Sequence, residues 1–138
     1  MKRLVLVLPL LLAACGFSPR VPPSVGDLLG APTALNVGGQ VVTLDSASAS
    51  GSGGFGVKVR LTSRDALPAL RLDGVFVVSG TDLWKSPLRS TGGVASAYGR
   101  AGSGVQAGET VQVVVRLRDA QGRVLWLRDG ETRVGTAP

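Results

Sequence analysis

VQVVVRLRDAQGRVLWL, residues 111–127, reads as two strands and the turn that joins them. Val111, Val113, Val115 and Leu117 recur at every second position, the period of a strand with one buried face. Asp119 stands at the first turn position and Gly122 at the fourth, which suits a type I turn followed by a left-handed glycine. That turn pairs Asp119 with Arg123 and so fixes everything upstream. Leu117 falls opposite Leu125 and Val115 opposite Leu127 on one face; Arg118 meets Val124 and Arg116 meets Trp126 on the other. The first face is core, and the second carries arginines around a tryptophan.

The same period runs through Phe55, Val57, Val59 and Leu61. Further strands are expected at 40–44, 70–78, 83–85, 94–98, 124–127 and 131–134. Residues 46–54, SASASGSGG, are low in complexity and read as a mobile loop, with a shorter loop at 99–104. After residue 33 no segment has a helical period; the one helical candidate, Val25–Leu29, precedes it. Val105-Gln106-Ala107-Gly108-Glu109-Thr110 leads into the long strand. With the hairpin, this segment resembles the last two strands of bacterial immunoglobulin-like or fibronectin-III-like domains, where an Ala-Gly-Glu corner enters the penultimate strand. The resemblance implies an all-β, antiparallel immunoglobulin-like sandwich of about seven or eight strands, with a small β-barrel as the alternative. A fold alone assigns no activity.

Composition narrows the chemistry. The chain has 138 residues, enough for one domain, with 20 glycines and a 4% aromatic fraction, so Val, Leu and Ala must supply most of the core. It holds no His and a single Cys. An intrachain disulfide, the usual zinc or copper sites and His-dependent triads therefore have no residues to draw on, and no metal or other cofactor is expected. The formal charge is +6; without Lys2 and Arg3, which belong to the signal described below, it is +4. The basic residues are scattered and no reader motif accompanies them, so nucleic acid is not an expected partner.

The N-terminus carries an address. Met1, Lys2 and Arg3 make a positive start, residues 4–12 are apolar apart from Pro9, and Ala13 and Ala14 precede Cys15. This is the order of a secretory signal, and the apolar run is well short of the ~20 residues needed to span a bilayer. Leu12-Ala13-Ala14-Cys15 resembles the lipobox of bacterial lipoproteins. The resemblance implies a diacylglycerol thioether on Cys15, cleavage after Ala14 and further acylation of the new amino group, fatty chains such as palmitate making the anchor stable. Gly16 follows where an Asp would retain such a protein in the inner membrane, so the outer membrane is favoured. Residues 1–14 are thus expected to be signal, 15–32 a lipidated, proline-rich tether (Pro19, Pro22, Pro23, Pro32), and 33–138 the β domain.

The catalytic options are few. Lys85-Ser86 are neighbours on a strand and point to opposite faces, so they make a poor dyad. Asp73 and Asp82 bracket a strand and could serve as a carboxylate pair for hydrolysis, or else sit in turns, Asp73 before Gly74 and Asp82 after Ser-Gly-Thr. Trp126 with Arg116, Arg118 and Arg128 is the candidate binding surface, able to take a protein, a glycan or an anionic headgroup. The competing reading is a self-contained cation–π pair or a face covered by another element of the fold. Trp84 is assigned to the core. The expectation is a non-enzymatic envelope lipoprotein binding a protein or polymer, with a structural accessory subunit second and a carboxylate-dependent hydrolase last.

Overall fold

A computed structural model describes residues 23–88, 92–100 and 104–136. The expected signal, Cys15, Gly16 and the first part of the expected tether lie outside the described residues, as does most of the expected loop after Gly99. The described elements are α1 (Val25–Leu29), β1 (Leu35–Val37), β2 (Gln40–Gly51), β3 (Gly54–Ser63), β4 (Arg71–Ser79), β5 (Asp82–Pro87), β6 (Val94–Gly99), β7 (Thr110–Arg118), β8 (Val124–Arg133) and β9 (Gly135–Thr136).

Alternating apolar residues force the strands into two layers that share one core. One sheet has the order β1-β2-β3-β6, with β9 added in parallel along β2; the other runs β5-β4-β7-β8, and every pairing except β9 with β2 is antiparallel. The two sheets remain separate, so the architecture is a sandwich and the barrel alternative falls away. Val42 and Leu44 of β2, Phe55, Val57, Val59 and Leu61 of β3, and Ala95 and Ala97 of β6 face Leu72, Val75 and Val77 of β4, Val111, Val113, Val115 and Leu117 of β7, and Leu127 of β8. Trp84 joins them from β5, its ring centroid 5.0 Å from that of Phe55 in an edge-on contact.

Three expectations need correction. Residues 46–54 are not a loop: they are the second half of β2, a turn at Ser52 and Gly53, and the start of β3. The serine–alanine alternation has the strand period, and small side chains disguise it. Ser46, Ser48 and Ser50 lie opposite Val59, Val57 and Phe55, and two of the hydroxyls gain partners, Ser46 Oγ on Asp129 Oδ2 at 2.6 Å and Ser50 Oγ on the Val105 carbonyl at 2.8 Å. Strands 124–127 and 131–134 are one, β8, with the irregularity taken up between Gln112 and Val114 across the ladder. Finally, the segment 25–32, assigned to the tether, packs on the domain: Leu28 and Ala31 are buried.

Candidate functional site

The β7–β8 hairpin has the register that its turn chemistry dictates. Asp119 Oδ1 accepts the backbone N–H groups of Gln121 and Arg123 at 2.9 and 2.8 Å, its Oδ2 accepts Arg123 Nε at 2.7 Å, and Gly122 takes φ 82°. Leu117 pairs with Leu125, Val115 with Leu127, Arg118 with Val124 and Arg116 with Trp126. The arginine–tryptophan face therefore exists as read.

It is not an open face. Helix α1 lies across it. Ser24 Oγ caps Asp27 N at 3.1 Å and Asp27 Oδ2 accepts Ser24 N at 3.2 Å, a reciprocal box that lets so short a helix start. Leu28 and Ala31 then seal a second apolar cluster with Phe76, Val78 and Val114, against which Val25, Leu29 and Trp126 are half-buried. The Trp126 ring tilts over Phe76 with centroids 5.4 Å apart. What stays accessible beside Trp126 is a groove of about 440 Å³ floored by Leu28 and Ala31 and edged by Pro23, Asp27, Gly30 and Pro32.

The arginines divide between two tasks. Arg128 holds the chain as it leaves α1: its backbone N–H donates to the Pro32 carbonyl at 2.8 Å, Nε to the Ala31 carbonyl at 3.1 Å, and Nη1 to Gln112 Oε1 at 2.7 Å. These bonds satisfy carbonyls beyond the helix end that would otherwise face the sheet without partners. Arg116 and Arg118 both donate Nε to Asp73 Oδ2 at 3.0 Å. Partial burial would raise the Asp73 pKa, but the hydrogen bond from Arg118 and the charges of both guanidiniums outweigh it and hold the carboxyl below its ordinary value.

Asp73 is thus the residue whose place the sequence concealed. It sits within β4 where the β4–β7 register shifts between Leu72 and Gly74, not in a turn. Asp82 lies at the far end of the same ladder, opposite Ser79, whereas Gly74 pairs with Pro87. Six residue steps of ~3.3 Å put about 20 Å between the two carboxylates, well beyond the ~5–9.5 Å of a glycosidase pair. Lys85 is exposed and Ser86 half-buried, in keeping with their pointing to opposite faces.

The signal that could have revealed the helical cover was present. Val75, Phe76, Val77 and Val78 are consecutive and all buried, as are Val113, Val114 and Val115. An uninterrupted apolar run is the mark of a strand buried on both faces, so the outer side of β4 and β7 demanded a lid. No model of a known protein family matches the chain, and neither curated proteins nor solved structures include a match to it.

Proposed function

We propose that the chain is an envelope lipoprotein, anchored through lipid on Cys15 and favouring the outer membrane, whose β-sandwich binds a protein or polymer partner without catalysing a reaction. The observation that carries this reading is the N-terminal order of Lys2-Arg3, an apolar run and Leu12-Ala13-Ala14-Cys15, followed by prolines and then a packed β domain. The strand order supports the finer assignment to immunoglobulin-like domains: β2, β3 and β6 correspond to strands A, B and E, and β4, β7 and β8 to C, F and G, with β5 as an added C′ strand.

A second reading, a structural accessory subunit of an envelope assembly, is favoured by one specific finding. Trp126 and Arg128 hold α1, and Arg116 and Arg118 hold Asp73, so the residues first expected to meet a partner are largely spent within the fold. The groove beside Trp126 is what that surface retains for a ligand.

Replacing Cys15 with Ala tests the anchor: the protein should move from the membrane to the soluble fraction and lose its incorporated fatty acid, and unchanged fractionation would overturn the lipoprotein reading. Crosslinking of the membrane-anchored protein, followed by mass spectrometry, tests the binding role. A partner lost in Trp126→Ala at unchanged thermal stability supports binding at the groove. A partner kept at fixed stoichiometry in both proteins favours the accessory subunit, and no envelope partner in either would sink the binding role.

A further inference from the structure

The outer face of the first sheet has no helix over it among the described residues, and its side chains are unevenly spread. Pairing places them in rows: Ala49, Gly56 and Tyr98, then Ala47, Lys58 and Ser96, then Asp45, Arg60 and Val94. Tyr98 Cδ1 and Cε1 each lie 3.1 Å from where a Cβ on Gly56 would stand, so the ring rests on bare β3 backbone. Covering a strand glycine in this way protects the sheet, and that explains one side of the ring. The residue nevertheless remains 81% exposed, which leaves the other side to solvent. Within its own row Gly56 and Ala49 raise nothing tall beside it. Lys58 and Arg60 project from the same face of β3, and neither joins an ion pair among the described residues.

We infer that this face binds an anionic polysaccharide. A sugar ring presents an apolar face of C–H groups, and an aromatic ring with one open side is the surface on which it stacks. Successive rows on one face are ~7 Å apart, so Lys58 and Arg60 stand about 7 and 13 Å along the strand from the tyrosine row, positioned for acid groups on neighbouring sugars. Asp45 is the only carboxylate in these rows, so the field over the face is positive. A protein partner would need an apolar centre within an area of about 800 Å². This face offers one aromatic ring and Val94 among small and charged residues, which suits a thin, linear chain better. The inference rests on the binding role proposed above and gives it a polymer ligand at a second surface, on the opposite sheet from the groove beside Trp126.

The test uses the full-length protein in detergent micelles, titrated calorimetrically with polygalacturonate, and with dextran and polyaspartate as neutral and non-sugar comparisons. Polygalacturonate should bind at least about tenfold more tightly than either comparison. Tyr98→Ala should weaken it by about tenfold or more, Tyr98→Phe by less than about twofold, and the double variant Lys58→Gln, Arg60→Gln by about tenfold with loss of its salt dependence. The two basic residues are exposed, so the double variant reports on binding even if Tyr98→Ala fails to fold. No binding of polygalacturonate, equal binding of polyaspartate, or unchanged affinity in folded Tyr98→Ala or in the double variant would overturn the inference. A partner still crosslinked in the membrane by a Tyr98→Ala protein would leave the broader binding role standing while this surface fails.

Discussion

Two glycines on neighbouring strands show how the same methyl group meets different fates. A Cβ on Gly99 would lie 2.6 Å from Trp84 Nε1 and 3.0 Å from Cε2, and the indole is fixed between the core and Phe55. Gly99→Ala should therefore cost about 1–3 kcal/mol by overpacking. Gly56→Ala meets only the exposed Tyr98 ring, which can swing away, and should change stability by no more than about 0.5 kcal/mol. Urea denaturation of both variants checks the contrast; equal losses would mean that Trp84 is freer than its packing implies. The clamp on Asp73 gives a second expectation. Its carboxyl pKa is lowered in the folded state, so the stability it supplies is full at neutral pH and fades as pH falls through the folded-state value. With all three side chains about a third exposed, Asp73→Asn should cost about 1 kcal/mol at pH 7, and less at pH 3, where wild type has begun to lose the same interaction. Denaturation at the two pH values measures this, and a constant gap would show that the charge is immaterial. None of that clamp was readable beforehand, because Asp73 before Gly74 looks like a turn. Only the β-bulge between Leu72 and Gly74 turns the carboxylate toward Arg116 and Arg118.

The β7–β8 hairpin was readable from its turn back to the Val115–Leu127 pair, since one turn with a left-handed glycine sets the register of those pairs; the shift between Gln112 and Val114 displaces the last three pairs by one residue and was not readable. The β2–β3 hairpin was readable at its two outer parts, residues 40–44 and 55–61, and missed between them. A strand built of serine and alanine has the right period but little apolar contrast, and its hydroxyls find acceptors on Asp129 and Val105, more than 50 residues away in sequence. Helix α1 was visible as a short apolar stretch, yet its role depends on what it covers. Leu28 is 1% exposed and central to that cover, so Leu28→Ala should cost about 2–3 kcal/mol and loosen the helix from Phe76 and Trp126. In a Trp84→Phe background, Trp126 fluorescence should then shift to longer wavelength. An unshifted spectrum would show that α1 stays docked without its main anchor.

Considered as one body, the domain is layered helix on sheet on sheet: α1 covers the second sheet, and among the described residues nothing lies over the first. The sequence placed the start of the domain at residue 33, because prolines before it read as tether; packing moves the start to about Val25. Limited proteolysis of the intact protein should accordingly yield a resistant fragment beginning near Pro23, identified by its mass. Ready cleavage between Leu29 and Leu35 that leaves residues 35–136 folded would show that the helix is an appendage.

The short ladder of β9 on β2 pairs Ala49 with Gly135 and Ser50 with Thr136, joining the beginning of the sandwich to its end. Contacts so distant along the chain are the slowest to find one another, since the entropy of closing the intervening loop is lost before any bond compensates for it. A chain that emerges from its N-terminus cannot form this seam until its last strand is free. Until then β2, with its serine–alanine edge, waits with one flank open, and the time spent in that state is set by the speed of synthesis as much as by the strength of the finished core.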